Sequence, residues 1–332
     1  VVTLPISIRS LSFGKDYNCD WIANSLPDTI TSLSFGKDFN QTISPGMLPT
    51  CLTSLTFGDN FYQPIMPGAL PQSLITLVMG SNFDHNITGD GIFPYSLRSL
   101  TFGTMFNRPF TPGLLPPLLE TLQLGRNYTL PLHPHCFPDS LTDLTFPSTA
   151  YRENIPQSVL PTSLTRLEIN SFKIRLITFP DPQYSKLSTL VLNRRTKLQS
   201  TIPSSVGTLI INDCLAEDGV RQWKESTYSL VHHIGSLYGT IYYDPKQYGS
   251  TVQSTLQRIL LQDYPNIGIY YLSVTTYSKD NLPSHQYQLQ IRKIDNNNAI
   301  CLISQDTSTD QLISILPLHQ HPIIPSNNQS NF

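Results

Sequence analysis

Apolar residues in the first half of the chain fall at positions 1, 4 and 6 of a short segment, with polar residues at 2, 3 and 5. The segment returns at a near-constant interval. Leu4-Pro5 leads to Ile8, Leu11, Phe13 and Gly14; Leu26-Pro27 to Ile30, Leu33, Phe35 and Gly36; Leu48-Pro49 to Leu52, Leu55, Phe57 and Gly58. Leu70-Pro71 leads to Leu74, Leu77, Met79 and Gly80, and Phe93-Pro94 to Leu97, Leu100, Phe102 and Gly103. Successive anchors lie 22, 22, 22 and 23 residues apart. Further copies follow Leu115-Pro116, Phe137-Pro138 and Leu160-Pro161, and two weaker ones contain Leu187–Leu192 and Val206–Ile211. Ten coils are expected, eight of them clear.

Alternation from position 4 to position 6 predicts a short strand with Leu55 and Phe57 on one side and Thr56 on the other. One such coil cannot bury its apolar side alone, so neighbours must stack, with parallel strands and continuous inward ladders. The return path carries Pro45, Pro49, Pro64, Pro67 and Pro71, which forbids a regular helix there. Pro45-Gly46, Pro67-Gly68 and Pro112-Gly113 fit the centre of type II turns. The expected fold is a β-rich solenoid with leucine-rich-repeat-like parallel strands and an extended, turn-built convex side, spanning 1–212.

Phe39-Asn40-Gln41-Thr42-Ile43, Phe61-Tyr62-Gln63-Pro64-Ile65 and Phe106-Asn107-Arg108-Pro109-Phe110 resemble the FNIP repeat. The resemblance covers about residues 1–170 well and 171–212 loosely. It implies a short leucine-rich-repeat-like array serving as an interaction scaffold, with no enzymatic activity in the repeat itself. Tyr62, Asp84 and Thr129 depart from the signature Asn, so an asparagine ladder is expected to be incomplete.

Beyond Asp213 the period is lost. A helix is expected after Glu217-Asp218, and a second over Val252–Leu260 with Ser250 as its N-cap. Strands are expected at Tyr238–Tyr243, Ile267–Tyr277, around Tyr287–Ile291 and at Ala299–Ser304. These make 213–310 a small α/β domain capping the last coil, with 311–332 as a flexible tail.

Composition then narrows the function. Charged residues are only 13% of the chain, with Lys plus Arg at 21 and Asp plus Glu at 23. That balance argues against nucleic acid and against an anionic membrane as partners. Hydroxyls replace charge: 35 Ser and 32 Thr. No apolar run is long enough to span a bilayer. The chain opens inside a repeat without Met or a signal segment, so a fragment or processed form is expected. Five dispersed cysteines with no CxxC pair fit free thiols in a reducing, cytoplasmic compartment.

No catalytic signature is present, and no cofactor or metal is expected. His133-Pro134-His135-Cys136 lacks a second ligand cluster, and His232-His233 would point its rings apart. Four glycosylation sequons, including those at Asn40, Asn86 and Asn127, equal the number that 20 Asn give by chance. Asn40 is expected to be structural. The leading reading is a non-catalytic protein-interaction scaffold. Its alternatives are a surface protein recognising glycans and an enzyme hidden in 213–310. Positions 2, 3 and 5 of the strands form the face open to a partner. Arg98, Glu120, Asp143, Arg166 and Glu168 are its candidate binding residues, because their side chains reach furthest.

Overall fold

The computed structural model describes residues 4–20, 25–87, 91–146, 151–153, 155, 158–170, 179, 186–193, 202–214, 236–243, 269–277, 283–293, 298–305 and 311–317. The chain divides into two compact units, Val1–Thr178 and Phe179–Phe332.

The first unit is a parallel β-solenoid. Its strands are β1 (Ser10–Ser12), β2 (Ser32–Ser34), β3 (Ser54–Thr56), β4 (Thr76–Val78), β5 (Ser99–Thr101), β6 (Thr121–Gln123), β7 (Asp143–Phe146) and β8 (Arg166–Ile169). Each pairs in parallel with the next, seven pairings in all. The register never slips: Leu33, Leu55, Leu77, Leu100, Leu122, Leu144 and Leu167 form one row. Register is fixed because a one-residue slip would turn that row to solvent. The row is sealed, as are Ile30, Leu52, Leu74, Leu97, Leu119, Leu141 and Leu164 at position 1. Position 6 supplies Phe35, Phe57, Met79 and Phe102, all buried. Behind them runs a second column, Tyr17, Phe39, Phe61, Phe83 and Phe106, with ring centroids 6.2 Å apart at each step.

Two backbone constraints explain the recurring small residues. A Cβ on Gly36 or Gly58 would collide with the carbonyl of the glycine one coil earlier, so the coils close there backbone on backbone. The Pro-Gly turns form as expected, with Gly46, Gly68 and Gly113 at φ 79°, 77° and 82°. The Met47 amide donates to the Ser44 carbonyl at 3.2 Å to close the first of them. His135 stands at the equivalent place one coil later, at φ 60°.

The second unit differs from the expectation. Its strands are β9 (Thr189–Asn193), β10 (Thr208–Cys214), β11 (Ser236–Tyr243), β12 (Ile269–Tyr277), β13 (Pro283–Lys293), β14 (Asn298–Gln305) and β15 (Gln311–Pro317). β9 to β12 pair in parallel, and β12 to β15 continue as an antiparallel meander. The expected small α/β capping domain over 213–310 is therefore not supported: its described residues form strands, with no helix among them. The two expected helices lie outside the described residues. Nor does the parallel ladder stop at 213, because Thr208-Leu209 of β10 registers with Ser236-Leu237 of β11. The paired positions Leu209, Leu237 and Tyr270 are 28 and 33 residues apart, so longer returns hide them from a 22-residue period. The 311–332 segment is not wholly a tail either, since 311–317 is β15, antiparallel to β14. Four of the expected strands are present, and Leu289 and Ile291 are buried between exposed Gln290 and Arg292.

Candidate interaction surface

The strand face of the first unit is built from side chains at positions 2, 3 and 5. Most are half-buried, in contrast to the sealed Leu row between them. Much of the hydroxyl content bonds one coil to the next. At position 2, Thr31, Thr53, Thr142 and Thr165 donate to the carbonyls of Arg9, Thr31, Glu120 and Thr142, at 3.2, 3.0, 3.2 and 3.1 Å. Just before position 1, Ser73, Ser96, Ser140 and Ser163 donate to the carbonyls of Leu52, Leu74, Leu119 and Leu141, each at 2.6 Å. Hydroxyls are short enough to reach the backbone and use their single donor there.

The five charged candidates are brought together, but toward each other. Arg98 Nη1 lies 3.0 Å from Glu120 Oε1 and also donates to the Leu118 carbonyl at 3.3 Å. Arg166 Nη1 lies 3.0 Å from Asp143 Oδ1, and its Nη2 bonds Glu168. Asn170 Nδ2 donates to the other Glu168 oxygen at 2.6 Å. Burial pulls the Arg166 pKa down, but hydrogen bonds and charge from Glu168 and Asp143 outweigh it and leave the pKa raised. The cluster of Arg166 with two carboxylates carries one net negative charge, whereas Arg98–Glu120 is neutral.

A second ladder runs along the return path. Asn18 Oδ1 accepts from the Asn40 amide at 2.8 Å, and Asn40 Oδ1 from the Tyr62 amide at 2.8 Å. Asp84 Oδ1 accepts from the Asn107 amide at 2.9 Å, and Asn107 Oδ1 from the Thr129 amide at 3.0 Å. Three of the four acceptors also meet a donor one residue further on in the next coil. Gln41 reaches Asn18, Gln63 reaches Asn40, and Arg108 grips both Asp84 oxygens at 3.0 and 2.9 Å. At the Tyr62 interruption the His85 ring takes over, 3.3 Å from the Tyr62 carbonyl. Asn40 is structural, as its repeat position implies.

The recurring Phe-Asn corner is the signature of a repeat family, and the family comparison agrees. The FNIP Repeat family matches residues 1–38, 39–82, 63–105 and 106–149. Residues 1–149 are therefore an array of FNIP repeats. Among solved structures, the chain is similar to the crystal structure of CroV588, described as a novel circular LRR protein structure. The two share 26% identity and a TM-score of 0.56, over 85% of this chain and 46% of that one. The chain thus spans about half the length of that relative. No curated protein matches it.

Three side chains break the FNIP pattern in a way that sequence reading undervalued. Ile75, Tyr95 and Leu118 are exposed, by 44%, 72% and 43%. Ile75 takes a position that Thr fills in four coils, and Leu118 one that Ser or Thr fills in most. Tyr95 stands where five other coils carry the polar Asp28, Thr50, Gln72, Asp139 and Thr162, while Ile6 and Pro117 take the place in the remaining two. Ile75 is at position 2 of the strand face, whereas Tyr95 and Leu118 lie in the turns leading into β5 and β6. Aligning the coils column by column would have exposed them, because each replaces polar with apolar.

The other candidates are dispersed. His133 and His135 are exposed on the turn while Cys136 is buried, its thiol pushed up to about 12 by burial. Among the described residues no group of three His, Cys, Asp or Glu is placed to hold a metal. Cys19 and Cys51 are exposed free thiols. His232-His233 lies outside the described residues, and of Cys301 only its place in β14 is described. No helix among the described residues is long and apolar enough to cross a membrane.

Proposed function

We propose that the protein is a non-catalytic scaffold that binds a protein partner on the strand face of its first unit. The observation carrying this reading is the unbroken register of β1 to β8 over a sealed apolar interior. Such an array is fixed inside and free to vary outside, which is how repeat proteins present extended binding surfaces. The near-balanced charge favours a protein over a polyanion. The two exposed thiols suit a reducing, cytoplasmic setting. Because the charged candidates are paired among themselves, a partner would exchange ion pairs with them instead of meeting free charges. A photo-crosslinking residue at Thr56, Ser99 or Thr145, compared with one at Ser44 or Thr111 in the Pro-Gly turns, tests this. Capture of a common partner from the strand-face positions alone is the expected result. Capture from the turns alone would overturn it.

A further inference from the structure

We propose that the FNIP unit pairs with a second copy of itself through the apolar patch formed by Ile75, Tyr95 and Leu118 around the Arg98–Glu120 ion pair. The patch lies on three consecutive coils. Thr76, Ser99 and Thr121 are in register, so Ile75, Arg98 and Glu120 form one row at position 2. Tyr95 and Leu118 flank that row in the turns before β5 and β6, and the Arg98 bond to the Leu118 carbonyl ties the two together. Coils on either side keep the hydroxyls that bond coil to coil here: Thr53 and Ser73 before, Ser140, Thr142, Ser163 and Thr165 after. Ile75 and Leu118 give up that bonding, and the apolar side chains replacing it are exposed. A repeat that abandons a stabilising rule at neighbouring positions, with no gain to its own core, marks a surface used for something else.

Charge selects the occupant. The patch holds one cation and one anion 3.0 Å apart, both about half exposed at 42% and 52%. A purely acidic or purely basic partner meets one of them as a like charge. A second copy related by a two-fold axis between them does not: Arg98 of each copy faces Glu120 of the other, and apolar side chains meet apolar ones. Three large side chains make a small interface, so the dimer is weak and its formation depends on concentration.

The proposal goes beyond the scaffold reading and is tested separately, by sedimentation of the intact chain across a concentration series. The wild type should show a monomer–dimer equilibrium. Tyr95→Ser with Leu118→Ser should weaken it at least tenfold at an unchanged melting temperature. The sharper arm uses charge: Arg98→Glu and Glu120→Arg should each be monomeric alone and form a heterodimer when mixed, because only the mixture restores opposite charges across the axis. A wild type that stays monomeric throughout, or a dimer indifferent to these changes, overturns the proposal. A monomer that nonetheless crosslinks another protein through the strand face would overturn self-pairing and leave the scaffold reading standing.

Discussion

The coils from β1 to β4 and those from β5 to β8 share one interior but are joined along their surfaces by different chemistry. In the earlier coils the aromatic columns are nearly parallel, with interplanar angles of 17°, 13° and 4° for Phe13–Tyr17, Phe35–Phe39 and Phe39–Phe61. In the later coils Phe102–Phe106 and Tyr128–Tyr151 stay near parallel, at 16° and 17°, but tilted contacts join them: 37° for Phe110–Tyr128, 59° for Phe146–Tyr151 and 83° for Phe137–Phe146. Ion pairs join hydroxyl–carbonyl bonds on the later strand face, and Arg108–Asp84 replaces the Gln–Asn pairs of the corner ladder. The Leu rows do not change at all. Either chemistry bridges the same gap of about 5 Å between neighbouring strands. What the coil cannot exchange is its buried wedge. The repeat therefore decays from the outside inward.

The largest effect should test that asymmetry directly. Leu55→Ala in the earlier coils and Leu144→Ala in the later ones should each cost about 2–5 kcal/mol in urea melts, since both rows are sealed. Thr56→Ala, half-buried on the strand face, should cost under about 0.5 kcal/mol. A Leu144 cost near that of Thr56 would mean that the later interior has loosened along with its surface.

Alkaline pH should separate the two halves next. Burial raises the thiol of Cys136 from 9.0 to about 12 and the phenol of Tyr151 from 10.0 to about 12; burial raises Tyr128 as well. In the equivalent column of the earlier coils Phe39, Phe61 and Phe83 do not titrate, and only Tyr17 at its head does, its phenol also raised by burial. In the unfolded chain these three groups lose protons above about pH 9–10, while the folded chain holds them neutral. The unfolded state then binds fewer protons, so stability is full below pH 9 and falls from there toward pH 12. Tyr151→Phe should recover about 1.4 kcal/mol of the loss seen by pH 11, one unit above the unfolded phenol. An unchanged alkaline slope in that variant would place the titration elsewhere.

The legible part of the sequence was what the coil interior dictates. Leu-Pro anchors, the Leu row and the Pro-Gly turns could be read because each obeys a backbone or packing constraint that repeats with the chain. β11 and β12 were expected as strands, but their place in the parallel ladder was missed because the returns leading to them lengthen beyond 22 residues. β15 was missed because Gln311–Pro317 adjoins a segment rich in Gln, Asn and Pro, whose composition swamped the apolar residues Leu312, Ile313, Ile315 and Leu316. That the five charged candidates pair with one another was not read from the sequence. Parallel spacing implied it: residues at one repeat position in adjacent coils meet, whatever partner they are meant for.

The corner ladder offers a smaller test. Arg108 and Asp84 are about one-third exposed, so their ion pair is worth about 0.5–1 kcal/mol. Asp84→Asn keeps the acceptor for the Asn107 amide and loses only the charge. Arg108→Gln alone leaves Asp84 facing a neutral donor. Together the two substitutions copy Asn40–Gln63, and the double variant should return to within about 0.3 kcal/mol of wild type. Additive losses in this double-mutant cycle would show that the later coils no longer accept the earlier chemistry.

The smallest effect concerns His135. It holds a left-handed φ of 60° where the other turns carry Gly46, Gly68, Gly91 and Gly113 at 77–82°. A side chain there crowds the following carbonyl, while glycine does not. His135→Gly keeps the amide that donates to the Ser158 carbonyl at 3.3 Å and the turn closed by Cys136 on His133 at 3.2 Å. Relief of the crowding is partly cancelled by the greater freedom glycine gives the unfolded chain, so the net gain should be about 0.5 kcal/mol. The reverse change, Gly113→His, should cost about 1–2 kcal/mol, because that turn has no relaxation already built around a side chain. Thermal melts of the two variants read the pair. A loss of stability in His135→Gly would mean that the imidazole stabilises its turn by more than its backbone strain costs.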